Sequence, residues 1–266
     1  MLQDFGDAYA SATTGWLVPL LPIAQRLFLL LATLELTWSG IWWALASRRG
    51  DDHVLVPILR KVVHLMFFYT LLLLAPIWIP TLVGSFARAG QVASGYDRLD
   101  PDLILQQGIE IGLAMQFNLG TAVTLGLSSL MSLVPSLIFV LSFTVIAATL
   151  LITLIESYLV ISGGILLLGF AGSRWTATFA EGYLLYAMRV GVKLFVLYLL
   201  VGVGMTFPQA WLAEISVLNL FDLRIHWQLM GNAVIFMLLV FRVPRLAAEM
   251  VGPRATFHLD RAYQEA

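Results

Sequence analysis

Long apolar blocks, each closed by a short polar or glycine–proline break, set the plan of this chain. The runs 23–46, 62–83, 133–161, 191–207 and 228–240 hold few or no charges. Most approach or exceed the ~20 residues that a helix needs to cross hydrocarbon. The pattern predicts an all-α, polytopic transmembrane protein with about five membrane spans, joined by amphipathic helices outside the lipid.

The breaks refine this plan. Residues 1–22 read as a short leader of small and polar residues carrying Asp4 and Asp7, punctuated by Pro19 and Pro22. A first span is expected over 23–46, with Trp38, Trp42 and Trp43 toward its far end, where indole rings favour the membrane–water interface. A second begins near residue 54 or 62 and is expected to stop at Pro76 and Pro80, since proline removes a helix donor and clashes with the preceding turn. Arg60, Lys61 and His64 fall in its opening turns, where long basic side chains can snorkel to headgroups.

Residues 84–132 are different, rich in glycine, serine and glutamine. "LDPDLILQQGIEIG" has a helix start: Asp100 as N-cap, Pro101 at the first helical position, Asp102 next. The helix is weakly amphipathic and is expected above the membrane. The stretch 108–132 is apolar enough to dip into it. The run 133–164, with Pro135 early and Glu156 late, would measure about 45 Å as a straight helix, longer than the ~30 Å core. After "GFAGSRWT" (169–176), Thr178 and Glu181 form a capping-box pattern and predict a new helix to about residue 205. A connector (208–227), the last span and a basic tail complete the chain.

Composition agrees. Of 266 residues, 60% are hydrophobic and 12% charged, against roughly 25% charged in soluble domains. There is no cysteine, which removes disulfides, thiolate catalysis and iron–sulfur ligation. The net charge of −1 shows no global basic bias, so no dedicated nucleic-acid-binding domain is expected. The acidic start lacks a basic n-region, so the first span is expected to act as its own signal. With five spans, Arg48, Arg49, Arg60, Lys61, Arg174, Arg189, Lys193, Arg242, Arg245, Arg254 and Arg261 share one side, against Arg26, Arg88, Arg98 and Arg224 on the other. The positive-inside rule then places "GFAGSRWT" and the C-terminus in the cytoplasm, and the N-terminus and 84–132 outside.

Candidate chemistry is sparse. His53, His64, His226 and His258 are scattered, and the only lysines, Lys61 and Lys193, sit in no phosphate-binding loop. No catalytic, cofactor or metal constellation emerges, so no enzyme activity and no cofactor are expected. Two intramembrane acids, Glu35 and Glu156, could form a proton relay or ion path, or could pair with polar groups on neighbouring helices. In "GFAGSRWT", Gly169 and Gly172 permit close-packed or unusual backbone. Ser173, Arg174, Trp175 and Thr176 mark the corner chemically, and Thr178 with Glu181 restarts the helix. The expected result is a rigid elbow between membrane helices; a backbone phosphate cradle beside Arg174 is the other use of a GxxG turn.

"GGILLLGFAGSRWTATFAEGYLLYAMRVGVKLF" (163–195) and "LDPDLILQQGIEIG" resemble the TrbL family of polytopic inner-membrane proteins of conjugative type IV secretion systems, over roughly residues 20–245. The family's usual G-F-G-G-S-R-W-T has Ala171 in place of its middle glycine here. The resemblance implies a homo-oligomeric ring, a pentamer, at the base of a periplasmic stalk. It implies contacts with a minor pilin-like stalk protein, with other inner-membrane secretion components including the secretion ATPase, and with membrane lipid. It also implies a role in pilus biogenesis and in passage of a DNA or protein substrate. Many relatives carry a long polar C-terminal extension, and any role held there is not implied for residues 1–266.

The expected organisation is a periplasmic leader (1–22), a two-helix membrane hairpin (23–83) and a periplasmic amphipathic segment (84–132). A three-span region with the cytoplasmic elbow (133–245) and a cytoplasmic tail (246–266) follow. The competing function is a secondary transporter or ion channel using Glu35 and Glu156. It expects inverted repeats and mid-membrane helix breaks, which the sequence lacks.

Overall fold

A computed structural model describes residues 2–47, 55–96, 100–117, 126–217 and 223–252. Among these residues the chain is helical and holds no strand: α1 (Leu2–Ser47), α2 (Leu55–Leu73), α3 (Ala75–Ser94), α4 (Pro101–Phe117), α5 (Gly126–Gly163), the single turn α6 (Ile165–Leu168), a 3-10 turn (Gly169–Gly172), α7 (Ala177–Gly204), α8 (Phe207–Val217) and α9 (Leu223–Met250). Among the described residues, four stretches are long and apolar enough to cross a membrane: Leu2–Leu45, Val56–Leu73, Ser132–Gly163 and Ala177–Ala213. The protein is an all-α polytopic membrane protein. The run expected as the last span forms the middle of α9, with Arg242, Arg245 and Glu249 in its final third.

The local signals explain several boundaries. Asp100 accepts the backbone N–H of Asp102 at 2.9 Å, an N-cap on the second helical residue, and α4 starts at Pro101 as the sequence predicts. Elsewhere the prolines break less than expected. Residues read as a leader are helical, and α1 runs unbroken through Pro19 and Pro22 for 46 residues, about 69 Å. Pro76 lies in the first turn of α3, where its missing donor costs nothing, and Pro80 lies inside that helix. Across Leu74 the helical ladder carries on from α2 into α3, with Leu74 N donating to Thr70 O at 3.0 Å and Trp78 N to Leu74 O at 3.1 Å. The loop arginines Arg48 and Arg49, with His53, Arg98, Asp97, residues 118–125, Asp222, His258, Arg254 and Arg261, lie outside the described residues.

The chain divides into two compact units. One comprises Met1–Tyr9, Gly84–Glu156 and Val190–Glu249. There α4 runs antiparallel to α5: Gly108 faces Phe143 and Gly112 faces Val140, while Gln116 Nε2 donates to Ser136 Oγ at 2.9 Å. The two glycines, four apart, remove side chains where the helices come closest. The small-residue face of α4 is therefore used within the chain. Trp211 of α8 closes edge-on over Phe139 and Phe143, at 5.8 and 6.4 Å between ring centres. Along α7, Gly191, Phe195 and Gly202 meet Phe86, Gly90 and Ser94 of α3 in turn, so these segments run parallel. Glu156 of α5 is ion-paired with Lys193 of α7.

The other unit comprises Ala10–Val83, Ser157–Arg189 and Met250–Ala266. In it Phe28 of α1 lies 5.5 Å from the ring of Tyr69 on α2. Gly164, just past the end of α5, lies under the Tyr183 ring, whose hydroxyl donates to the Val160 carbonyl at 3.0 Å. These contacts fix the approach to the 3-10 turn, which packs against α2 and α6.

Candidate functional site

On α1, Ala24, Phe28, Ala32, Glu35 and Ser39 recur at spacings of four, four, three and four, and all are buried. Such spacing puts them on one helical face. The 3-10 turn lies along that face. With three residues per turn, residues i and i+3 eclipse, so Gly169 and Gly172 point the same way. A Cβ on Gly169 would stand 2.7 Å from the Ala24 carbonyl oxygen; one on Gly172 would stand 2.4 Å from that of Phe28. The two glycines thus sit on backbone one α-helical turn apart, and GxxG here is a close-packing seam. Both are in ordinary right-handed or extended surroundings; the positive φ among the described residues belongs to Gly95, at 75°.

Just beyond the seam, Ser173 donates through Oγ to Glu35 Oε2 at 2.8 Å. Oε1 of the same carboxylate accepts from Lys61 Nζ of α2 and lies 3.6 Å from Arg174 Nε. Lys61 also donates to Ser39 Oγ. Glu35 is 1% exposed, whereas Arg174 is 63% exposed and Lys61 20%. One buried carboxylate therefore ties α1, α2 and the corner together, and two cations face it. Burying a lone carboxylate is expensive; the paired cations and the hydroxyl make this position tenable.

The outer layer is aromatic. Trp38 and Trp175 meet edge-on at 5.9 Å, and Arg174 sits 5.8 Å from the Trp175 ring centre. Lys61 lies 6.0 Å from that of Trp43. Thr176 closes the corner by donating to the Phe170 carbonyl at 2.6 Å, and Thr176 and Ala177 donate their N–H groups to Ser173 O at 3.0 and 2.8 Å. Helix α7 then starts at Ala177, one residue before the capping-box spacing places it.

The structure thus gathers Gly169, Gly172, Ser173, Arg174, Trp175 and Thr176 around Glu35. Thr178 and Glu181 lie exposed on α7. Glu156 belongs to a separate pair with Lys193. Sequence reasoning missed Lys61 and Ser39 as partners. The signal was present in part: Glu35 and Ser39 continue the Ala24–Phe28–Ala32 stripe, which marks an acid facing protein. Among the described residues, no three His, Asp or Glu residues converge as a metal site.

Residues 32–243, a span that opens just ahead of Glu35 and closes beyond the corner, match the TrbL/VirB6 plasmid conjugal transfer protein family. The chain belongs to the TrbL/VirB6 family. This TrbL/VirB6 chain is 27% identical over 208 residues to Probable conjugal transfer protein TrbL of Sinorhizobium fredii (strain NBRC 101917 / NGR234), covering 77% of the chain and 51% of that relative. It is 26% identical over 208 residues to Conjugal transfer protein TrbL of Rhizobium radiobacter, with the same coverage of each. The TrbL/VirB6 chain spans about half the length of these relatives.

Proposed function

We propose that this chain is a structural inner-membrane part of a conjugative type IV secretion system. In this role it forms a ring-like platform for the stalk and pilus and contributes to the substrate conduit. The family supports a place in conjugal transfer. The observation that favours a scaffold is the use made of Glu35: its carboxylate is committed to Lys61, Arg174 and Ser173, and so joins three segments. A transporter needs an acid free to exchange a proton or ion, and the second candidate, Glu156, is ion-paired too. The proposal includes a homo-oligomer, a pentamer, that contacts a minor pilin-like stalk protein and the secretion ATPase. Its N-terminus is periplasmic and its corner cytoplasmic.

The experiment is an in-frame deletion of the gene, scored by DNA transfer to recipient cells, with the gene restored in trans. Loss of transfer with normal growth, regained on complementation, is the expected result. Unchanged transfer would overturn the proposal.

A further inference from the structure

Among the described residues, the corner carries more positive charge than it neutralises. Glu35 supplies one negative charge and faces two cations, Lys61 and Arg174. Arg174 uses only its Nε edge on Glu35, and among the described residues its terminal nitrogens make no other hydrogen bond or ion pair, on a side chain 63% exposed. A guanidinium held by one edge presents the other as a planar fork, the geometry that receives phosphate oxygens. The surroundings fix its depth. Of the chain's eight tryptophans, Trp38, Trp42 and Trp175 surround this end of α1 with their rings exposed. Trp38 and Trp175 touch. Indole rings settle at headgroup level, and α1 and α2, which flank the corner, are both long and apolar enough to span.

We propose that Arg174, framed by Trp38 and Trp175 and backed by Lys61, binds the phosphodiester of an anionic phospholipid at the membrane surface. The occupant is a lipid and not a free anion, because the fork lies among exposed indole rings at the end of two spans. A lipid there brings acyl chains against the exposed Leu34 and Leu30 of α1, about one and two turns deeper than Trp38. Phosphatidylglycerol suits the excess positive charge; phosphatidylcholine, whose own ammonium neutralises its phosphate, does not. The proposal needs only a chain that lies in a membrane, and neither the ring nor the conduit.

The test is native mass spectrometry of the full chain, released from detergent micelles carrying equal amounts of phosphatidylglycerol and phosphatidylcholine. The wild type is expected to retain phosphatidylglycerol preferentially. Arg174→Ala is expected to lower that preference about fivefold, the weight of one basic side chain at a lipid surface. Arg174→Lys, which keeps the charge but loses the fork, should fall between them, and it decides the matter alone if the alanine variant does not fold. Arg88→Gln, removing an exposed charge on α3, should leave the preference unchanged. Equal retention of both lipids by the wild type would overturn the proposal. So would equal losses in the Arg174 and Arg88 variants, or displacement of the lipid by excess inorganic phosphate.

Discussion

The hydroxyl of Ser173 donates a 2.8 Å hydrogen bond to a carboxylate oxygen of Glu35, across 138 positions of sequence. The bond is buried at both ends, and Lys61 holds the other oxygen. Its loss should be felt in stability before any effect on chemistry. Ser173→Ala is expected to cost about 1.5–3 kcal/mol, the range for hydrogen bonds to charged groups. Thermal unfolding of the detergent-purified chain reads it, and an unchanged midpoint would remove Ser173 from the tie.

The two cations at Glu35 should differ in weight. Lys61→Met strips the buried side of the pair and is expected to cost about 3–5 kcal/mol, because a buried charge loses its main partner. Arg174→Gln, altering a solvent-facing partner, should cost no more than about 1 kcal/mol. The same melting series ranks them; the reverse order would mean that Arg174 carries the pairing.

The seam on α1 should reject even a methyl group. Gly172→Ala places Cβ 2.4 Å from a backbone oxygen and Gly169→Ala places it 2.7 Å from another, and backbone cannot swing aside as a side chain can. Each is expected to cost about 1–3 kcal/mol, Gly172 the more, and DNA transfer should fall with it. Gly163→Ala, whose Cβ meets nothing within 4 Å, is the matched control. Equal behaviour of all three would show that the seam is not tight.

Glu156 and Lys193 should behave as a pair. Glu156→Gln and Lys193→Gln are each expected to destabilise. A double-mutant cycle should return a coupling of about 0.5–3 kcal/mol. DNA transfer in Glu156→Gln should survive at reduced level. Complete loss of transfer in a variant that still folds would favour the transport reading over the scaffold.

The α4–α5 crossing offers a compensation test. Gly112→Ala brings Cβ to 2.4 Å from Val140 Cγ2. Val140→Ala deletes that atom, so the double variant should be more stable than the sum of the single effects by about 1 kcal/mol. Strict additivity in the melting data would mean the helices separate at this point.

Much of the architecture was legible because it depends on local pattern. Apolar run length marked the spans, Asp100 and Pro101 marked the start of α4, and the glycines of 169–172 marked the corner. What eluded the sequence depends on partners far along the chain. Pro19 and Pro22 read as breaks, yet a helix carries them through. Lys61 read as a snorkelling surface residue because nothing local reveals that Glu35 waits on another helix. Thr178 and Glu181 had the right spacing for a cap, but Thr176 and the Ser173 carbonyl close the turn first. The GxxG spacing left a phosphate cradle open as the weaker reading, and α1 backbone occupies the space such an anion would need.

The 3-10 geometry of residues 169–172 ties Gly169 and Gly172 to a shared direction only while two residues separate them. Inserting or deleting one residue there would swing one glycine by about a third of a turn and aim a side chain at α1. This piece of chain is therefore fixed in length, whatever side chains of fitting size stand between its glycines. Among proteins sharing this corner, gaps should be absent from these four positions even where the letters between the glycines differ.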